Sequence, residues 1–159
     1  MRRSKLVLGL ILVAVVLAAC DSSGAPTATP VGPAATPTTF ILETSGTIAG
    51  IRQTLNIGEA RNASFKDGDA PEKTSTVPEQ QYAGMVEQVA KADFFNLEEK
   101  YDSGTVSDDR YYTLTVKQGG QSKTVMVAEI GGKDLTPQAL SDLITMLLNV
   151  QNGMKATDS

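Results

Sequence analysis

The sequence predicts an α+β domain in which two amphipathic helices pack on one face of an antiparallel sheet of four to five strands, in the order ββ(β)-α-ββ-α. Three observations support this fold class. Apolar and polar residues alternate in several short segments, two longer segments carry apolar residues at helical spacing, and glycine or proline residues separate the segments. One sheet with both helices on the same face buries all of these apolar stripes together.

Short strands are predicted at the start of the domain. Phe40–Leu42 begins the first, and Ile51–Ile57 forms the second, with apolar residues at alternate positions apart from Gln53. Ser64–Lys66 is a third, shorter candidate, and Lys73–Val77 is its candidate partner across a hairpin-type turn. The turn residues are Gly46 and Gly50 in the first connection and Asp67-Gly68 in the later one.

The first helix is predicted to begin at Pro78. Proline suits the first helical position, and Glu79 lies in the first turn, where the helix dipole favours a carboxylate. Apolar residues then follow at i, i+3, i+4, i+7 and i+8: Tyr82, Met85, Val86, Val89 and Ala90. Phe94, Phe95 and Leu97 come next as an apolar cluster, and Glu98–Asp109 is predicted to be a polar loop.

The clearest hairpin of the chain follows this loop. Apolar and polar residues alternate over Tyr112–Val116, Gly119-Gly120 turns the chain, and Val125 and Val127 return on one face. Tyr112 is therefore expected in the core, and Tyr111 on the opposite face of the sheet.

The last helix is predicted from Pro137 at its first position, with Thr136 as its N-cap and Gly153 at its end. Its apolar stripe consists of Leu140, Leu143, Ile144, Leu147 and Leu148.

Residues 1–19 resemble a bacterial lipoprotein signal peptide. Three basic residues precede an apolar run, Leu6–Ala19, that is shorter than the roughly 18 to 20 residues of a transmembrane helix. The run ends in Leu17, Ala18 and Ala19, a recognition sequence for the lipoprotein signal peptidase, which cuts before a cysteine that carries diacylglycerol. Cys20 is therefore the predicted site of lipidation, with palmitate among its acyl chains. Cleavage at an Ala-x-Ala site that leaves a free Cys20 thiol is the alternative.

These features predict four regions. Residues 1–19 are the signal peptide, residues 20–39 are the lipidated cysteine and a linker rich in Pro, Thr and Ala, residues 40–152 are the single domain, and residues 153–159 are a flexible tail. The linker has almost no apolar side chains to bury, so it is expected to act as an extended spacer. An O-glycosylated stalk is the other interpretation of its composition. We expect a protein anchored by lipid to the cell membrane and facing its extracytoplasmic side.

The charge argues against two classes of partner. Removal of residues 1–19 takes away three basic residues and leaves 11 against 18 acidic ones, a net charge near −7. The remaining basic residues are scattered singly. Nucleic acids and anionic headgroup surfaces bind clustered positive charge, so neither is an expected partner beyond the lipid on Cys20.

The residue types also argue against an enzyme. The chain has no histidine, and its one cysteine is the predicted lipidation site, so it lacks an imidazole base, a Cys-His pair and the usual zinc ligands. No catalytic residue, metal site or cofactor is expected. Two acidic groups leave alternatives open, a calcium site or paired catalytic carboxylates, but neither group has the alternating ligand pattern of a calcium loop. These groups are Asp67 with Asp69, and Asp102 with Asp108 and Asp109.

The turn Gly46, Thr47, Ile48, Ala49 and Gly50 is the predicted partner-binding loop. It lacks the Lys-Ser/Thr pair of a phosphate-binding loop and joins two strands. A tight structural connection is one interpretation. The other is an exposed loop on a rigid scaffold, in which Ile48 enters an apolar subsite of a partner.

From Ser45 to Arg52 the chain resembles emfourin, a family of protein inhibitors of thermolysin-like metalloproteases. The resemblance continues at Ala92–Leu97, Asp109–Val116, Lys123–Val125 and the final leucine-rich helix, and it spans most of residues 40–150. Thr47 and Ile48 stand where the family turn has Gly-Phe. The resemblance implies a non-enzymatic inhibitor domain whose partner is a secreted or surface metalloprotease. A structural or envelope-associated lipoprotein domain with no protease target is the alternative.

Overall fold

The computed structural model describes residues 36–46, 50–104 and 108–156, which lie in one compact unit, Ala34–Ser159. The strands are β1 (Thr38–Gly46), β2 (Arg52–Ile57), β3 (Asn62–Asp67), β4 (Lys73–Thr76), β5 (Lys100–Tyr101), β6 (Arg110–Gln118) and β7 (Gln121–Ala128). The α-helices are α1 (Glu79–Lys91) and α2 (Gln138–Lys155), and a short 3-10 helix, Phe94–Asn96, follows α1.

The predicted antiparallel sheet of four to five strands is wrong. All seven strands form one mixed sheet in the order β4-β3-β2-β1-β6-β7-β5, and its element sequence is β-β-β-β-α-β-β-β-α apart from the 3-10 helix. Lys100 and Tyr101 of β5 pair parallel with Met126 and Val127 of β7, whereas the other neighbouring strands are antiparallel. The segment predicted to be a polar loop thus contributes an edge strand.

The two edge strands explain why the strand number was underestimated. β5 has two residues, and it owes its place to tertiary contacts: Tyr101 is buried, and the Met126 amide donates to the Glu99 carbonyl at 2.9 Å. β4 is polar and largely exposed, so it carries no apolar alternation that a sequence pattern would reveal. Its pairing with β3 follows from the turn after Asp67.

The core lies between one face of the sheet and the two helices. Residues directly opposite each other in paired strands share a face, so the register defines rows of side chains across the sheet. One row contains Leu55, Leu42, Leu114 and Val125, and its neighbour contains Ile57, Phe40 and Val116. All seven residues are fully buried in the same cluster as the apolar stripes of α1 and α2. On the opposite face, Glu43, Thr54 and Lys117 are exposed.

Two expectations for α2 need correction. Thr136 does not cap it, because its hydroxyl donates to the Gly132 carbonyl at 2.7 Å instead, and Pro137 is the N-cap residue. The helix also continues through Gly153 to Lys155. Tertiary contacts hold this last turn: Met154 is buried, and the Lys73 ammonium donates to the carbonyls of Met154 and Lys155 at 3.3 and 3.4 Å. Within the described residues, no helix is both long and apolar enough to cross a membrane.

The first residue of β1 is fixed to α1. Thr38 is fully buried, its amide donates to the Tyr82 hydroxyl at 3.0 Å, and that hydroxyl donates to the Thr38 carbonyl at 2.6 Å. The Tyr82 ring also packs edge-on against Phe40, with ring centroids 6.0 Å apart. The first strand therefore begins at Thr38, two residues before Phe40, where the sequence pattern placed its start.

Candidate functional site

The lipidation site lies outside the part of the chain that the structure describes. This holds for Cys20 and for the peptidase recognition residues Leu17, Ala18 and Ala19. Thr47, Ile48 and Ala49 of the predicted binding loop also lie outside the described residues. The two glycines that flank them are described: the Gly46 amide donates to the Ile51 carbonyl at 3.3 Å, and Gly50 is exposed with φ +59°.

The β1–β2 turn lies at the end of the sheet where four connections meet. β1 ends and β2 begins there, and the register brings the β3–β4 turn, the β5–β6 loop and the β7–α2 loop to the same end. The chain enters β1 at Thr38, which pairs with Gln118 at the opposite end of the sheet. We call the end with the four connections the loop end.

At the loop end the apolar rows of the core give way to a polar one. Gln53, Thr44 and Tyr112 are opposite each other in β2, β1 and β6 and face the helices. The last turns of α2 pass over this row, and a cavity of about 360 Å³ remains between them. The cavity lining consists of Thr44, Ile51, Gln53, Arg110, Tyr112, Glu129, Leu148, Gln151, Asn152 and Lys155. Thr44 in β1 and Ile51 just before β2 belong to this lining, so the cavity lies at the loop end of the sheet.

A chain of hydrogen bonds fixes the two glutamine amides of this cavity. Gln53 Nε2 donates to the Asp67 carboxylate at 2.9 Å, so Gln53 Oε1 points the other way, as an acceptor. That oxygen accepts from Gln151 Nε2 at 2.8 Å and from the Lys155 ammonium at 3.1 Å. Since a carboxylate only accepts and an ammonium only donates, the charged ends dictate both amide orientations.

Two oxygen atoms remain unpaired as a result. Gln151 Oε1 and Thr44 Oγ1 are shielded from solvent, and neither has a hydrogen-bond partner among the described residues. Gln151 is 2% exposed and Thr44 is 4% exposed. A buried polar atom without a partner costs roughly 1 to 3 kcal/mol, so the fold is less stable here than an apolar row would make it.

Charged groups form the outer wall of the cavity. The Arg110 guanidinium pairs with the Glu129 carboxylate at 3.3 Å, and the Tyr112 hydroxyl donates to the same carboxylate oxygen at 2.8 Å. Burial raises the pKa of the Tyr112 hydroxyl, which therefore stays protonated at neutral pH. The Tyr112 hydroxyl and the Glu129 carboxylate together raise the pKa of Arg110. The wall thus carries one balanced ion pair, and Lys155 adds a positive charge.

Two acidic residues of the β5–β6 loop, Asp109 and Asp102, hold local structure at the loop end. Both Asp109 oxygens accept backbone amides of the β7–α2 loop, from Ile130 at 2.9 Å and from Gly131 at 2.7 Å. Asp102 accepts from the Gly104 amide at 2.8 Å and pairs with Lys100 at 3.0 Å, and these two contacts lower its pKa. Within the described ranges, no group of three acidic, histidine or cysteine side chains is arranged to hold a metal ion.

Sequence reasoning did not single out the polar row, although it left a signal. Gln53 interrupts the apolar face of β2, Thr44 continues the alternation of Phe40 and Leu42, and Gln151 follows Leu147 at helical spacing. Each is a polar residue at a position that the strand or helix periodicity predicts to face the core. The tertiary fold brings the three together.

Residues 54–151 match the model of the family described as Domain of unknown function (DUF6438). The matched segment begins in β2 and ends in α2, at Gln151. No curated protein matches the chain. Nothing in the family match connects the chain with emfourin-like inhibitors.

Proposed function

Because the chain belongs to the DUF6438 family, whose description assigns no activity, we propose its function from its N-terminal sequence and from the site: a lipid-anchored bacterial lipoprotein that displays a non-enzymatic, protein-binding domain. The binding surface in this proposal is the loop end, which includes the β1–β2 turn and the cavity lined by Thr44 and Gln151.

The observation that carries this proposal is the pair of unpaired oxygens in the loop-end cavity, on Thr44 and Gln151. Residues that lower the stability of a fold and have no structural role to compensate are typical of functional sites. A nucleophile-and-base reaction has little support there, because the chain has no histidine, its one cysteine is Cys20, and the nearest carboxylate, Glu129, is engaged by Arg110 and Tyr112. Binding is the function that these side chains support best.

The direction of β1 supports display from a membrane. The predicted linker leads into Thr38, and the nine residues of β1 then run to the loop end, a length of about 30 Å at roughly 3.3 Å per residue. A partner would therefore meet the domain at the end farther from its attachment point. This geometry supports the proposal of a tethered binding module.

A thermolysin-like metalloprotease is the partner that we propose to test first. The emfourin-like sequence around Ser45–Arg52 motivates this choice. In the proposed mechanism the turn offers Ile48 to an apolar subsite of the protease and blocks access to its active site. No metal ion bound to the inhibitor is needed for this mechanism.

The decisive experiment titrates several thermolysin-like proteases with the purified chain and measures peptidase activity. We expect stoichiometric inhibition that Ile48→Asp abolishes and Gly50→Ala weakens, because a side chain at φ +59° strains the turn. Gly119→Ala is the matched control: Gly119 is exposed, has φ +57°, and lies in the β6–β7 turn at the opposite end. Undiminished activity at large molar excess, with every protease, would exclude inhibition and favour a structural envelope domain.

The lipid anchor is tested separately. Metabolic labelling with a palmitate analogue should label the wild-type chain and leave Cys20→Ala unlabelled, with the wild type in the membrane fraction. Equal labelling of both chains would exclude Cys20 as the acylated residue.

A further inference from the structure

We propose that the loop-end cavity lined by Thr44, Gln53 and Gln151 binds a neutral, hydroxyl-rich ligand of monosaccharide size. The inference concerns a small-molecule site and does not depend on whether the turn inhibits a protease. It rests on three properties of the lining: its unpaired hydrogen-bonding atoms, its charge balance and its size.

The unpaired atoms match a ligand group that both donates and accepts hydrogen bonds. Gln151 Oε1 is an acceptor without a donor among the described residues, and its orientation is fixed by the contact of Gln151 Nε2 with Gln53. Close by, the Lys155 ammonium, which has three N–H donors, donates one to Gln53 and lies over the Phe65 ring, 5.3 Å from its centroid. Gln151 Nε2 and Lys155 Nζ both donate to Gln53 Oε1, so these two nitrogen atoms lie within about two hydrogen-bond lengths of each other. A hydroxyl group can donate to Gln151 Oε1 and accept from the Lys155 ammonium, whereas a carboxylate cannot donate and an ammonium cannot accept.

The charge balance favours a neutral ligand. Arg110 and Glu129 compensate each other, and Lys155 lies near the C-terminal end of α2, where the helix dipole is negative. An anion at Lys155 would meet this unfavourable end of the dipole. Several hydroxyl groups spread over one small ring carry no net charge and could donate to the acceptors Thr44, Gln151 and Glu129 of the lining.

The size of the cavity fits one ring with room for a substituent. The cavity of about 360 Å³ adjoins a second one of about 250 Å³, and the two share Tyr112, Glu129 and Leu148. Tyr112 and Leu148 provide apolar surface for the C–H face of a ring, beside the polar atoms that orient its hydroxyl groups. For a ligand to reach the two buried oxygens, the exposed Asn152 side chain at the rim would have to change rotamer while Lys155 stays in contact with Gln53.

The experiment uses the full lipidated chain in phosphocholine micelles, which contain no sugar. Saturation-transfer NMR is recorded with D-glucose, D-mannose, D-galactose and N-acetyl-D-glucosamine, and with acetate as a ligand that cannot donate. We expect transfer to at least one sugar and none to acetate. A sugar that binds is then compared with a polysaccharide of the same unit, which distinguishes a free monosaccharide from a surface glycan as the source.

Thr44→Val is expected to change ligand affinity and protein stability in opposite directions. It removes the unpaired hydroxyl and keeps the shape of the side chain, so we expect a higher unfolding temperature and an affinity for the sugar that is lower by roughly tenfold. Gln151→Leu is the second variant and should weaken binding in the same way. Thr54→Val is the matched control, because Thr54 is exposed on the opposite face of the neighbouring strand; its affinity should equal that of the wild type.

Three results would overturn the proposal. The first is no transfer to any of the four sugars, which would mean that the cavity holds water only. The second is equal affinity in Thr44→Val and the wild type. The third is transfer to acetate that matches the sugars, which would show an anion site at Lys155. Protease inhibition is scored in a different assay, so either proposal can fail alone.

Discussion

Tyr82 joins α1 to the first residue of β1, and removal of its hydroxyl should destabilise the domain by about 2 to 4 kcal/mol. Tyr82→Phe keeps the ring and its edge-on contact with Phe40. It deletes the atom that accepts from the Thr38 amide at 3.0 Å and donates to the Thr38 carbonyl at 2.6 Å. Thr38 is fully buried, so two backbone groups lose a partner, at roughly 1 to 3 kcal/mol each when no water replaces it. The adjacent exposed residues 36 and 37 allow some relaxation, which limits the sum.

The assay is equilibrium unfolding in urea, in which a loss of stability lowers the midpoint while the slope stays constant. Tyr111→Phe is the control, because Tyr111 lies half-buried on the opposite face of β6, and a change within about 0.5 kcal/mol is expected there. If Tyr82→Phe also changed stability by less than about 0.5 kcal/mol, the bonds to Thr38 would not hold β1 in place.

Three further predictions concern the same unfolding equilibrium. Leu114→Ala, in the centre of the sheet and fully buried, should cost about 2 to 5 kcal/mol; a cost below about 0.5 kcal/mol would contradict its place in the core. Gly132→Ala should lower the free energy of unfolding by about 2 kcal/mol or more, since the new Cβ would lie 2.6 Å from the Ala128 carbonyl oxygen. Gly153→Ala should raise the free energy of unfolding by about 0.5 to 1 kcal/mol, because its Cβ meets open space in α2. The reverse order would refute both assignments. Because folding lowers the pKa of Asp102, its ionised carboxylate should stabilise the fold at pH values above its unfolded pKa of about 3.9. This stability should be lost as the pH falls through the lower pKa of the folded state. In urea midpoints measured against pH, Asp102→Asn should therefore show a smaller decrease at acid pH than the wild type.

Periodicity in the sequence was sufficient for the central part of the fold. The alternation over Tyr112–Val116 and the stripes of the two helices are local signals, because burial of one face fixes the spacing of apolar residues within each element. The turn at Gly119-Gly120 likewise follows from local backbone demands, and both glycines have positive φ.

The remainder depends on contacts between distant segments, which a local pattern does not contain. β5 becomes a strand only because β7 lies beside it, and α2 continues past Gly153 only because Lys73 and the buried Met154 hold its last turn. The cavity was missed for the same reason. Thr44 and Gln151 are more than a hundred residues apart, and each alone is one polar residue in an apolar stripe.

The position of β1 determines how the domain carries a pulling force. β1 is paired with β2 on one side and with β6 on the other, and it runs from Thr38 to the loop end without a break. A membrane tether at one end and a bound partner at the other would pull along the strand axis, so the hydrogen bonds to both neighbours would share the load in shear, since they lie perpendicular to antiparallel strands. Peeling a strand from the sheet edge breaks its bonds one after another, whereas extraction of β1 would require many to break together. If a tether and a partner pulled at these two ends, a domain built in this way would resist extension and remain folded under tension.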